Sequence, residues 1–177
     1  MKSNIADFKP LRPELKPQLS RAEQRYPRVL HLIAEYDAAS DHGDEAGLKK
    51  VLEQLKSLTG KPISESDLFE YYESGSKEEL AFRFSLPPPV RVENITQGEV
   101  IELVNRLTKQ VEEPAEEWQN LTFAQQFSQY YLEDYYYELL KINCPKNYNY
   151  SYFTRQKRKN GTYYRLTPAE IIARFLA

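Results

Sequence analysis

The chain has 177 residues, enough for one full hydrophobic core or two small lobes. Its formal net charge of −2 argues against a generic nucleic-acid binder, and its single cysteine, Cys144, excludes an internal disulfide framework or a cysteine-rich zinc site. No run of eighteen apolar residues offers a membrane span, and the first twenty residues carry no apolar stretch of signal-peptide type, so the sequence predicts a cytoplasmic protein without a membrane partner.

Pro10, Pro13 and Pro17 stand too close together for a regular helix. They predict an extended N-terminal arm over residues 1–18, laid across the surface of a compact domain over 19–177, with room for lobes 19–80 and 81–177. From Leu19 to about Ala39, Val29, Leu32, Ile33 and Tyr36 recur at helical spacing, and Pro27 limits how far back that helix runs without a kink. Leu48, Val51, Leu52, Leu55 and Leu58 mark the face of a second helix that Gly60 terminates. Ser64 followed by Asp67 predicts a capped short helix carrying Leu68, Phe69, Tyr71 and Tyr72.

The alternation in Ala81-Phe82-Arg83-Phe84-Ser85-Leu86, closed by three prolines, predicts a strand. Thr96 and Glu99 form a capping box for a helix bearing Val100, Ile101, Leu103, Val104 and Leu107, and Pro114 opens a short helix containing Trp118. Thr122 and Gln125 cap a long tyrosine-rich helix. Its buried face is read from Phe127, Tyr131, Tyr135 and Leu139, flanked by Leu132, Tyr136 and Leu140, which leaves Tyr130, Asp134 and Tyr137 facing outward. Asn160-Gly161 between Tyr152-Phe153 and Tyr163-Tyr164 signals a hairpin, and Thr167-Pro168-Ala169-Glu170 starts a last helix with Ile171, Ile172, Phe175 and Leu176. The fold class is therefore α+β, mostly helical, with a small antiparallel sheet or hairpin.

Charge and tyrosine are both segregated along the chain. Ten of the fourteen tyrosines lie between Tyr130 and Tyr164, and residues 139–169 hold seven bases and no acid. Residues 99–138, by contrast, hold nine acids against Arg106 and Lys109. Tyrosine joins a large rigid apolar body to a polar tip, so displayed clusters suit contact with another macromolecule.

Catalytic chemistry is thinly supplied. His31 and His42 lack partners at metal-ligand spacing, and neither a glycine-rich phosphate loop nor an activated-serine motif occurs. The pairs Glu112-Glu113 and Glu116-Glu117 read as solvated helix charge. The chain is read as a non-enzyme without cofactor or metal, the alternative being a site assembled from residues distant in sequence. A second alternative is single-stranded nucleic-acid binding through Arg155, Lys157, Arg158 and Lys159 among the tyrosines of the C-terminal hairpin. A charged hairpin edge that resists aggregation explains the same bases.

Two acidic, aromatic surfaces are candidates for binding a basic protein. One is the helix after Ser64, with Asp67, Glu70, Tyr71, Tyr72 and Glu73; the other is the outward face with Tyr130, Glu133, Asp134, Tyr137 and Glu138. Residues 45–72, above all Leu58-Thr59-Gly60-Lys61-Pro62 and Ser66-Asp67-Leu68-Phe69-Glu70-Tyr71-Tyr72, resemble the second and third helices of the small colicin and pyocin nuclease immunity proteins. That resemblance implies a four-helix protein that covers the nuclease domain of a cognate toxin beside its active site. It would use acidic residues of the second helix for specificity and paired tyrosines of the third for common affinity. Asp67, Tyr71 and Tyr72 match the shared anchor and Glu53 the specificity position, while Glu70 is an additional residue and Glu73 stands where the family has proline. The expected function is thus neutralisation of a basic partner, anchored by Tyr71, Tyr72, Tyr130 and Tyr137 with charge from Asp67, Glu133 and Asp134.

Overall fold

The computed structural model describes residues 9–69, 71, 75–108, 122–128 and 132–177. The helix expected at Pro114 and the residues Tyr72, Tyr130 and Tyr131 lie outside these. The protein is mostly helical with a small two-stranded antiparallel sheet, and it divides into two units. The first unit is Pro17–Pro88 with Asn120–Tyr131; the second is Met1–Lys16, Pro89–Gln119 and Leu132–Ala177.

In the first unit, α1 (Leu19–Asp41) buries Ala22, Val29, Leu32, Ile33 and Tyr36. Pro27 sits inside the helix without ending it. Both Pro27 and Glu23, whose carbonyl loses its i+4 donor, are exposed, so water can satisfy that carbonyl. The next helix, α2 (Glu45–Thr59), begins at Asp44, whose side chain accepts from the Gly47 N–H at 3.0 Å, and stops at Gly60 in the left-handed conformation with φ 72°. A Cβ at Gly47 would stand 2.4 Å from Asp44 Oδ2, so the glycine makes room for the cap. In α3 (Glu65–Phe69), Asp67 Oδ2 accepts from the Ser64 N–H at 2.8 Å and Oγ–H at 2.6 Å, as the Ser64/Asp67 pairing predicts.

The segment expected as a strand over Ala81–Leu86 is instead the body of a helix, α4 (Lys77–Ser85). Ser76 Oγ accepts from the Glu79 N–H at 3.1 Å and opens it. Leu80, Ala81, Phe82, Phe84, Ser85 and Leu86 are all buried and only Arg83 in that stretch is exposed, so apparent alternation arises from one charge in the otherwise buried second half of the helix. Ser85 survives in that interior by donating to the Ala81 carbonyl at 2.6 Å.

α1 packs on α2 and α4. Their shared core holds Leu32, Ile33, Tyr36, Leu52, Leu55, Leu68, Leu80 and Phe84. Thr122 and Gln125 exchange capping bonds, but they open only a short helix, α5 (Phe123–Ser128), whose Phe127 lies parallel to Phe82 at 4.4 Å between ring centroids and 4° between planes. Tyr26 meets Phe123 edge-on at 5.2 Å and Phe127 at 5.4 Å, completing an aromatic cluster inside the first unit.

The second unit is built on α6 (Gln97–Thr108), α7 (Glu133–Asn143) and α8 (Pro168–Leu176), with α6 packed against both others. Each outer start follows its sequence signature. Thr96 and Glu99 cap α6 reciprocally, and Thr167 and Glu170 form a full capping box on α8. Leu132 stands at the N-cap of α7, outside the helix, so the long helix expected from Thr122 onward is replaced by α5 and α7. The N-terminal stretch is docked through Leu11 and Leu15, both buried, with a short 3₁₀ turn at Pro13–Leu15. Arg12 Nε meets Glu99 Oε1 at 2.9 Å, Arg106 donates to the Lys9 carbonyl at 3.2 Å, and the Tyr135 hydroxyl donates to the Lys16 carbonyl at 3.2 Å.

Candidate interaction surfaces

On α3, burial of Leu68 fixes which side faces the core, and Glu65, Ser66 and Asp67 are left exposed. Phe69 follows Leu68 by one helical step of about 100° and is turned outward, with 60% of its surface exposed. Its helical neighbours at i−3 and i−4 are Ser66 and Glu65, so an aromatic ring stands beside one carboxylate on this short helix. Residue type alone points to the tyrosines as anchors, whereas the step past the buried Leu68 makes Phe69 the displayed ring.

Tyr71 has a different position from the displayed anchor expected of it. Its ring packs against the first unit's core, and its hydroxyl donates to Asp37 Oδ2 at 2.9 Å. Asp37 Oδ2 also pairs with Lys77 Nζ at 2.6 Å, so Tyr71, two residues past α3, shares an acceptor on α1 with the first residue of α4. Burial, then the bond to Asp37 and the charges of Asp37 and Glu78, push the Tyr71 phenol up to about 12. Asp67 is exposed, with its carboxylate shared with the cap at Ser64. Glu53 is exposed on α2 and pairs with Lys56 at 2.9 Å.

Glu133 and Asp134 occupy the first turn of α7, and both are exposed. Negative charge is favoured there by the helix dipole whether or not a partner comes. Loss of part of its hydration, and then the charge of the neighbouring Asp134, push the Glu133 carboxyl up. Tyr137, expected to face outward, is half-buried. The chain after α7 folds back over it, placing Tyr150 at 5.2 Å and Phe153 at 5.1 Å edge-on to its ring, and burial first pushes its phenol up to about 12.

The hairpin forms at Asn160-Gly161, with β1 (Gln156–Lys157) antiparallel to β2 (Tyr163–Tyr164). Its first strand starts later than Tyr152-Phe153. The Asn149 side chain accepts from the Ser151 N–H at 2.9 Å and turns Tyr150–Tyr152 into a 3₁₀ helix instead. Gly161 takes φ 85°, and Asn160 Oδ1 holds the Thr162 N–H at 3.1 Å and Oγ–H at 2.7 Å. Arg155, Lys157, Arg158 and Lys159 are all exposed, and none of the four has a carboxylate within 4.0 Å among the described residues.

The histidines remain apart. His31 Nε2 lies 3.4 Å from Glu35 Oε1 on the exposed side of α1, and His42 Nδ1 contacts the Ala38 carbonyl at 2.7 Å. An open depression of about 650 Å³ is lined by Glu35, His42, Asp44 and Lys50 among others. No cluster of three histidine, cysteine or acidic side chains fit to hold a metal ion occurs among the described residues, and no helix among them is long and apolar enough to cross a membrane. No family model matches the chain, and no curated protein or solved structure matches it either.

Proposed function

We propose that this chain is a non-catalytic binding protein that masks a basic surface on another protein, with the exposed side of α3 at the centre of the contact. The observation that carries the reading is Phe69, 60% exposed, on the same short helix as the exposed carboxylates of Glu65 and Asp67. Carboxylates speed the encounter with a cationic surface, and desolvation of the ring holds the complex. The resemblance to nuclease immunity proteins, which are four-helix proteins, directs the proposal toward a toxin domain as the partner. In support, α1 to α4 follow one another with a short third helix, and Ser64 and Asp67 position that helix. On this reading Tyr71 is the buttress behind the contact and Phe69 its anchor.

The test uses the full chain and the product of the adjacent reading frame, if that product is basic and toxic. Phe69→Ala is expected to weaken the complex by about 2 kcal/mol, roughly thirtyfold in Kd. Glu65→Gln is expected to slow association chiefly at low salt. A folded Phe69→Ala chain that holds such a product at wild-type affinity, or a wild-type chain that does not bind it, refutes the reading.

A further inference from the structure

The register of the hairpin sorts its side chains onto two sides. Lys157 stands directly opposite Tyr163, and Gln156 directly opposite Tyr164. Opposed residues in an antiparallel pair share a face, and so do residues two apart along a strand. Arg155, Lys157 and Tyr163 therefore lie on one side. The distances agree: Arg155 Cζ is 4.5 Å and Lys157 Nζ 5.8 Å from the Tyr163 ring centroid. Tyr163 nevertheless keeps 54% of its surface exposed. On the other side the Tyr164 hydroxyl donates to Gln156 Oε1 at 2.8 Å, and Arg158 Cζ lies 4.9 Å from the Tyr164 ring centroid.

We infer that the Tyr163 side of the hairpin binds single-stranded nucleic acid, the ring stacking on one base while Arg155 and Lys157 contact the flanking phosphates. Three observations lead to this occupant. The cations have no carboxylate partner within 4.0 Å among the described residues, so their charge is available to an anion. The surrounding sequence adds no acid between residues 139 and 169. An exposed aromatic residue with two cations beside it matches a chain of alternating flat bases and phosphates, whereas a compact anion would use the cations without the ring. The turn holds this surface in place, because Arg158 N–H donates to the Thr162 carbonyl at 2.7 Å and Gly161 N–H to the Arg158 carbonyl at 2.9 Å.

Fluorescence anisotropy with labelled single-stranded 12-mers, a duplex of the same sequence and heparin as competitor tests the inference on the full chain. The wild-type chain is expected to prefer the single strands. Tyr163→Ala should weaken binding at least about fivefold, and Tyr163→Phe should retain it, because stacking needs the ring and not the hydroxyl. Arg155→Gln with Lys157→Gln should reduce the slope of log K against log salt by about 1.4, roughly 0.7 for each lost phosphate contact. Phe69→Ala should leave this binding unchanged, which separates the inference from the protein-masking reading. Absence of binding at low salt, equal affinity for the duplex, complete competition by heparin without a Tyr163 effect, or a Tyr163→Ala chain that binds normally each overturns it. Should Tyr163→Ala fail to fold, ultraviolet crosslinking of the oligonucleotide to the wild-type chain decides: attachment at Tyr163 supports the inference, and attachment confined to other residues overturns it.

Discussion

Tyr71 donates its hydroxyl to Asp37 at 2.9 Å, and the two residues lie 34 positions apart in the chain. The bond joins the chain just past α3 to α1 and gives Asp37 a neutral donor besides the Lys77 ammonium. It makes the aromatic next to the acidic helix a supporting member of the first unit.

Tyr71→Phe should therefore lower stability by about 1–2 kcal/mol, the range for a hydrogen bond to a partly exposed charged acceptor, while leaving the ring's packing intact. Urea denaturation reads this directly. A change below a few tenths of a kcal/mol would show that water replaces the hydroxyl without cost.

Alkaline titration should expose the same arrangement spectroscopically. Tyr26, Tyr71, Tyr135 and Tyr137 are each pushed up to about 12, with burial the largest cause. The unfolded chain ionises its tyrosines near 10, so folding favours the protonated phenols. That contribution is complete below about pH 10 and declines as pH rises toward 12. Phenolate absorbance should appear in two stages, the second coinciding with loss of the far-ultraviolet helix signal. A single transition near pH 10 with the helices intact would contradict the burial of these four rings.

The parallel contact of Phe82 with Phe127 predicts that α5 shares the core of α4. Phe127→Ala should destabilise the first unit by about 3–5 kcal/mol. A Phe82→Leu/Phe127→Leu double-mutant cycle should return a coupling of about 0.5–1.5 kcal/mol beyond the lost area. Independent, additive effects in denaturation would mean that the two rings do not touch.

Ser76→Ala separates the observed helix at Lys77–Ser85 from the strand that alternation suggested. Removing the cap should cost about 1 kcal/mol, and Ser76→Asp should restore it, because both side chains can accept from the Glu79 N–H. Indifference to both changes in a thermal melt would count against the cap.

Local chemistry was the legible part of the fold. The pairs Ser64/Asp67, Thr96/Glu99, Thr122/Gln125 and Thr167/Glu170 each place a hydroxyl three residues before a side chain that reaches back, and each forms at a helix start. Gly60 and Gly161 were legible because their left-handed backbone angles favour glycine, and Asn160 because its side chain holds the following Thr162. The segment around Phe82 misleads for a physical reason: the stretch from Leu80 to Leu86 is buried apart from Arg83, so it shows no 3.6-residue stripe and the one charge imitates a period of two. Tyr137 failed because Tyr150 and Phe153, which cover it, belong to a later turn of the chain. On α3 the cap at Asp67 was readable and the exposure of Phe69 follows from its step past Leu68, but the bond from Tyr71 to Asp37 depends on tertiary placement that spacing does not encode.

The Phe82–Phe127 stack also sets an order of events during synthesis. Phe82 leaves the ribosome well before Phe127, so the rings of Tyr26 and Phe82 emerge without the neighbours that later cover them. A fragment ending at Pro88 would carry that defect permanently, and dissection of this protein must rejoin residues 122–128 to the segment they complete.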